Sequence, residues 1–127
     1  MIKPNFRHKI GDRLVATAVA QDYQTGEVLM VAFIDEEAYT KSIETGYVHY
    51  YSTSRKSVWY KGETSGHTQK IKEIFFDCDE DAIVFKVEQI GGACHTGHYS
   101  CFYTRISPDS MTKTETQNMV FNPDEVY

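Results

Sequence analysis

The sequence predicts a single-domain, β-rich α+β fold of mostly antiparallel strands with one short helix. Three observations carry this. Apolar and polar residues alternate with period two over Lys70–Phe76 and Ala82–Ile90. Only one segment, 35–45, has both a helix start and a helix stop signal. Nine Tyr and seven Phe, part of an aromatic content of 13%, suit pleated, half-buried strands. A chain of 127 residues fits one domain and can bury a real core.

The elements follow in order. Arg13–Ala20 (RLVATAVA) and Val28–Ile34 (VLMVAFI) read as strands joined by a hairpin loop over 21–26, where Gly26 is free to take positive φ. Asp35 caps a helix that runs to Thr45, with Glu36 and Glu37 in its first turn, Gly46 after its end and a buried stripe of Ala38, Tyr39, Ser42 and Ile43. Tyr47–Ser52 and Val58–Tyr60 read as short strands, 62–66 as a loop, and Asp77–Asp81 as the connection between the two alternating strands. Cys101–Ile106 is the last strand expected. From Ser107 the chain is polar and patternless, broken by Pro108 and Pro123. The expected organisation is one domain over 1–106 and a polar tail, 107–127, of unassigned role.

Composition narrows the function. A formal net charge of −5 argues against a chain that coats nucleic acid or an anionic membrane. No apolar run approaches the roughly 20 residues of a membrane span, and Met1–Arg7 holds no signal-peptide core. Three cysteines cannot pair completely within one chain. The expected location is therefore the reducing cytoplasm, where clustered thiols serve metals or catalysis more often than bridges.

Those cysteines are Cys78, Cys94 and Cys101. Free cysteines are often simply buried, but Cys94 follows two glycines and precedes His95 in a turn-rich stretch ill suited to core packing. Three thiolates are one short of a closed structural zinc site and match the three protein ligands of an open, catalytic one. Beside Cys78, the carboxylates of Asp77, Asp79 and Asp81 would share one side of an extended segment and repel one another unless a cation sits among them. Taken alone, the segment reads more readily as a solvated acidic turn than as a magnesium site.

A third stretch, Ser54–His67, mixes cations, an aromatic and a Gly/Ser/Thr loop. Gly62, Ser65 and Gly66 can aim amides and hydroxyls at phosphate oxygens, although this is not a Walker loop. Arg55 and Lys61 suit phosphate or plain surface, and Trp59 suits a stacked base or the core. A zinc held by three thiolates acidifies water less than one held by imidazoles, so a nearby general base is expected. His95, next to Cys94, is the first candidate and His67 the second; His8 and His49 read as structural or exposed.

Taken together, Trp59–Gly66 (WYKGETSG), Asp77–Asp81 (DCDED) and Gly91–Phe102 (GGACHTGHYSCF) resemble the phosphoribosyl-AMP cyclohydrolases of histidine biosynthesis, in the expected order between about Arg13 and Phe102. The resemblance implies hydrolysis of the N1–C6 bond of the adenine ring in a small nucleotide, N1-(5-phosphoribosyl)-AMP. It implies zinc at Cys78, Cys94 and Cys101, shared across the interface of an intertwined homodimer, and magnesium at Asp77, Asp79 and Asp81. Two rivals stand beside it. A zinc-stabilised binding module would want a fourth protein ligand. A zinc nucleobase deaminase would need H-x-E and P-C-x-x-C, and neither occurs.

Overall fold

The computed structural model describes residues 1–127. In chain order the elements are β1 (His8–Ile10), β2 (Arg13–Asp22), β3 (Val28–Asp35), α1 (Glu36–Thr45), β4 (His49–Ser52), β5 (Ser57–Tyr60), β6 (Gln69–Phe76), β7 (Ala82–Gln89), β8 (Thr104–Ser107) and β9 (Thr112–Glu115), then a 3-10 turn at Pro123–Glu125. Seven strands form one sheet in the order β5-β4-β3-β2-β7-β6, with β1 also on β2, while β8 and β9 form a separate hairpin. No helix is long and apolar enough to cross a membrane.

β2 is the centre of the sheet. It pairs antiparallel with β3, from Val15↔Asp35 to Gln21↔Val28, and parallel with β7, from Thr17↔Ala82 to Asp22↔Val87. That parallel pair is the one exception to an otherwise antiparallel sheet. Ala16, Ala18 and Ala20 of β2 and Ile83, Phe85 and Val87 of β7 are buried on alternate positions, as the period-two pattern requires. The alternation in β6 is interrupted: a register shift between Ile71 and Glu73 moves the inward set from Ile71 to Ile74 and Phe76. A bulge adds one residue to the strand and reverses which parity faces the core.

The helix forms as its termini dictate. Asp35 accepts from Ala38 N at 2.8 Å at the start, and Gly46, at φ 80°, closes the end by donating to Ser42 O. Ala38, Tyr39 and Ser42 are its buried residues, with Ile43 partly buried against the core. Ser42 Oγ donates to Ala38 O and accepts from His49 N, each at 2.8 Å, which ties α1 to β4.

The sheet curls until its β6 edge returns to the chain between α1 and β4. There Tyr47 bridges Lys70, Val48 N donates to Gln69 O at 3.1 Å and Ile71 N to Gly46 O at 2.8 Å. A buried polar chain crosses the closure: Tyr50 Oη donates to Gln69 Oε1 at 2.6 Å, and Gln69 Nε2 to Gln89 Oε1 at 2.9 Å. Each group there has a partner, so its burial is tolerated.

Some expectations need correction. β4 starts at His49 rather than Tyr47, and the last expected strand, 101–106, is displaced to Thr104–Ser107 because Cys101–Tyr103 belong to a loop. β1 and β9 were not foreseen. The stretch after Ser107, without a pattern in sequence, is nevertheless ordered: it pairs in a hairpin whose first strand spans the 106/107 boundary and then packs back on the chain.

Asp22 closes the β2–β3 hairpin. Its carboxylate accepts from Gln24 N at 2.8 Å, Thr25 N at 3.2 Å and Tyr99 Oη at 2.5 Å. Burial alone would raise the carboxyl, but the Tyr99 hydroxyl and the loop amides outweigh it and hold the group below the usual aspartate value. A depressed folded-state value stabilises above the unfolded value near 3.9, and that contribution is lost as pH falls through the folded value. Asp22→Asn is expected to cost about 1–3 kcal/mol at neutral pH. The gap to the unsubstituted protein should close below about pH 4, measured by urea midpoints across pH.

Candidate active site

Gly91–Cys101 leaves β7 and folds back as a tight loop. Ala93 N donates to Tyr99 O at 2.9 Å and Cys94 N to His98 O at 3.2 Å, with Gly97 at φ 97° making the turn. The loop is anchored at the Asp22–Leu29 end of the sheet. Cys101 N donates to Leu29 O at 2.7 Å, the fully buried Ser100 hydroxyl to Val28 O at 2.7 Å, and Tyr99 to Asp22. This brings Cys101 close enough to Cys94 for Cys94 to act on the ionisation of its thiol.

Burial and the neighbouring Cys94 push the Cys101 thiol up to about 12, although Cys101 as a whole residue is exposed. The buried Lys61 ammonium opposes that rise. Its own proton affinity is lowered by burial, and Cys101 and Cys94 partly restore it. Two neighbouring thiols are soft donors that bind as thiolates, so this pair suits a soft metal. Thr96 Oγ1 donates to Cys94 Sγ at 3.0 Å and lies 2.9 Å from His98 Nδ1. With the threonine proton directed at sulfur, His98 Nδ1–H must be the donor to Thr96. His98 is also buried and stacked on Tyr103 at 3.6 Å. Thr96 and His98 were passed over in the sequence; their only signal there is a spacing of two and four residues from Cys94, inside the thiol motif.

Cys78 does not join the pair. It is exposed on the turn between β6 and β7. That turn sits at the opposite end of the sheet, where Thr17 N donates to Asp81 O at 3.1 Å. The seven residue steps of β7 between Ala82 and Gln89 separate the two ends by roughly 23 Å.

The turn is not an extended segment, as the alternation of its aspartates suggested. Glu80 lies at φ 63°, and Asp77 Oδ1 accepts from Asp81 N at 3.1 Å and Ala82 N at 3.2 Å. The carboxylates of Asp77, Asp79 and Asp81 still converge, with one oxygen of each within 4.8 Å of the others. Protein cations already reach them. Arg7 Nη2 lies 2.7 Å from both Asp79 and Asp81, and His8 Nε2 lies 2.7 Å from Asp81. The adjoining Asp79 carboxyl, then His8 and Arg7, hold Asp81 at about 2, while the proximity of Asp81 keeps Asp79 above its usual value. The cluster fits a hard cation in donor type and spacing, with Arg7 in competition for the same oxygens.

Beside the thiol pair lies a cavity of about 590 Å³ lined by Arg55, Trp59, Lys61, Gly62, Ser65, His95 and Cys101, among others. Its floor is the 62–66 loop, which turns on Gly62 (φ 89°) and Gly66 (φ 78°); a Cβ at Gly62 would sit 2.6 Å from the His67 backbone. Trp59 serves both readings, since it packs against the core at 5.3 Å from Tyr50 and also faces the cavity. Arg55 is exposed on the turn before β5.

The two candidate bases are placed differently. His95 is exposed and lines the cavity. His67 sits behind the wall, against Gly91, where a Cβ would fall 2.4 Å from its ring, and edge-on to Phe121 at 4.4 Å. Its Nδ1 is buried without a hydrogen-bond partner. Burial, then the Lys61 charge, holds its pKa below the ordinary histidine value.

Residues 30–103 match the family model for phosphoribosyl-AMP cyclohydrolase. The phosphoribosyl-AMP cyclohydrolase of Methanosphaera stadtmanae is 66% identical over 127 residues, covering 100% of this chain and 98% of that one. That of Methanothermobacter thermautotrophicus is 54% identical over 123 residues, covering 97% and 89%. A bifunctional histidine-biosynthesis protein of Thermoanaerobacter pseudethanolicus is 53% identical over 119 residues, which make up 94% of this chain and 54% of that one. With a family match across the cavity and thiol loop and a relative alike over nearly its whole length, the chain belongs to the phosphoribosyl-AMP cyclohydrolase family of hydrolases.

Proposed function

We propose that the cavity beside Cys94 and Cys101 binds N1-(5-phosphoribosyl)-AMP and hydrolyses the N1–C6 bond of its adenine ring, a step of histidine biosynthesis. The observation that carries this reading is the convergence, around one volume of about 590 Å³, of a cationic and loop-amide wall, an indole face, a free imidazole and a thiol. That size suits a small-molecule ligand. Arg55, Lys61 and the 62–66 loop hold phosphate, and the Trp59 ring faces the purine.

Cys94 and Cys101 provide two of three zinc ligands, and Cys78 of a second copy provides the third, so the active unit is a homodimer. When bound there, zinc supplies Lewis-acid activation of water. His95 takes the proton from the attacking water. Oxygen adds to C6, collapse of the adduct breaks C6–N1, and the proton passes to the departing N1, leaving a carboxamide and a formimino group. Lys61 offsets thiolate charge, and Thr96, oriented by His98, fixes Cys94 Sγ by a hydrogen bond. Asp77, Asp79 and Asp81 hold magnesium. The setting is the cytoplasm, as the thiol chemistry expects.

Turnover is read as the absorbance change on ring opening, and absence of turnover in zinc- and magnesium-loaded protein contradicts the assignment. His95→Ala is expected to lower kcat by about 10²–10⁴-fold with zinc retained. His67→Ala, behind the wall, should lose less and keep the pH-rate limb that His95→Ala removes. The reverse pattern assigns the base to His67.

At the acidic turn, Arg7→Ala is expected to lower the magnesium concentration for half-maximal rate, because the competing guanidinium is gone. Asp79→Asn should raise that concentration without loss of zinc. Titration of activity and metal content separates these outcomes, and a magnesium response unchanged in both variants returns the turn to a solvated acidic loop.

A further inference from the structure

Residues 116–127 lie outside the family match at 30–103, yet they pack on the site itself. Thr116 N donates to Tyr103 O at 2.8 Å, and Gln117 donates through Nε2 to Glu27 and accepts from Ser100 N at 3.4 Å. Val120 N and Phe121 N both donate to Gly97 O, at 2.7 and 3.3 Å. The thiol loop leaves room for this strap. A Cβ at Gly97 would fall 2.6 Å from Phe121 O, and one at Gly92 would fall 2.7 Å from the Phe121 ring. These two glycines lie on either side of Cys94, so loop and strap are fitted to each other.

Phe121 meets two things. Its ring stands edge-on to His67 at 4.4 Å and lies 6.1 Å from Tyr127. Tyr127, held by its N–H to Pro123 O at 2.9 Å, lines the same cavity as Trp59, Arg55 and His95. Its side chain stays 56% exposed, as suits an aromatic ring that waits at a wet rim for a planar ligand.

We infer that the strap is a working wall of the substrate site, with Tyr127 a stacking contact for the nucleotide and Phe121 the positioning residue that holds Tyr127 at the rim. This rests on the cavity being the nucleotide site proposed above. It assigns the substrate a second aromatic surface besides Trp59, from a segment in which the sequence shows no pattern.

The test is steady-state kinetics on phosphoribosyl-AMP with Tyr127→Ala, Tyr127→Phe and Phe121→Ala, each with zinc content and urea midpoint recorded. Loss of one base–aromatic stack is expected to raise KM about 5- to 100-fold in Tyr127→Ala. In that variant kcat should stay within about twofold, since uniform binding is what is lost. Tyr127→Phe keeps the ring and should restore KM. Phe121→Ala should raise KM in the same direction while zinc stays bound. The inference is overturned if Tyr127→Ala leaves KM unchanged while the unsubstituted protein turns over. It is also overturned if Tyr127→Phe is as impaired as Tyr127→Ala. If the unsubstituted protein does not turn over, the cavity assignment and this inference fall together.

Discussion

β7 sets the distance between the two donor groups of this chain. It runs parallel to β2, with the acidic turn and Cys78 before it and the thiol loop after it. The strand buries Ile83, Phe85 and Val87 completely, and loss of such side chains costs several kcal/mol each. It is therefore a rigid spacer of roughly 23 Å. One chain can present two thiols at one end and a third at the other, but cannot close three thiols around one ion without unmaking its own core. A zinc site of three thiolates, as proposed above, would have to take its third thiol from a second copy.

The same end of the sheet that holds the thiol pair also gathers the rest of the site. Asp22 and Leu29 anchor the loop, Lys61 enters directly after β5, and the polar chain from Tyr50 through Gln69 to Gln89 fixes the β6–β7 edge; Gln89 also donates to His67 O at 3.3 Å. Charge follows geometry. Lys61 is buried with its proton affinity lowered, and the Cys101 thiol beside it is pushed up, so shifted groups meet at an open cavity, which is a physical mark of a functional site.

Much of this was legible in the sequence, for definite reasons. The helix carries its own punctuation at Asp35 and Gly46, and β7 alternates apolar and polar residues over 85–88. The two glycines and the histidine around Cys94 mark a turn-rich loop, but the expectation that they keep Cys94 out of the packed interior does not hold: Cys94 is buried. β1 and β9 are short and made of residues with no shared pattern, so only tertiary pairing identifies them. The alternation in β6 misled after Lys70 because the bulge beyond Ile71 resets it. Asp77–Asp81 reads as an acidic turn, but nothing in it signals the positive φ of Glu80, so the extended geometry that would put the three carboxylates on one side does not hold. Arg7, His8, Thr96 and His98 were out of reach because their roles depend on partners brought close by the fold. For Arg7 those partners lie more than seventy residues away.

The central claim is that a complete thiolate site forms between chains and never within one. It is tested most directly by mixing two dead variants, Cys78→Ser and Cys94→Ser, by co-expression with different tags and isolation of the doubly tagged species. In the mixed dimer the first chain keeps Cys94 and Cys101 and the second keeps Cys78, so one of the two sites is whole. The account predicts that each variant alone lacks turnover and tightly held zinc, and that the mixed dimer regains about one zinc per pair with activity to match. A mixed species as empty and inactive as its parents, or a Cys78→Ser homodimer that keeps full zinc and full rate, would contradict it.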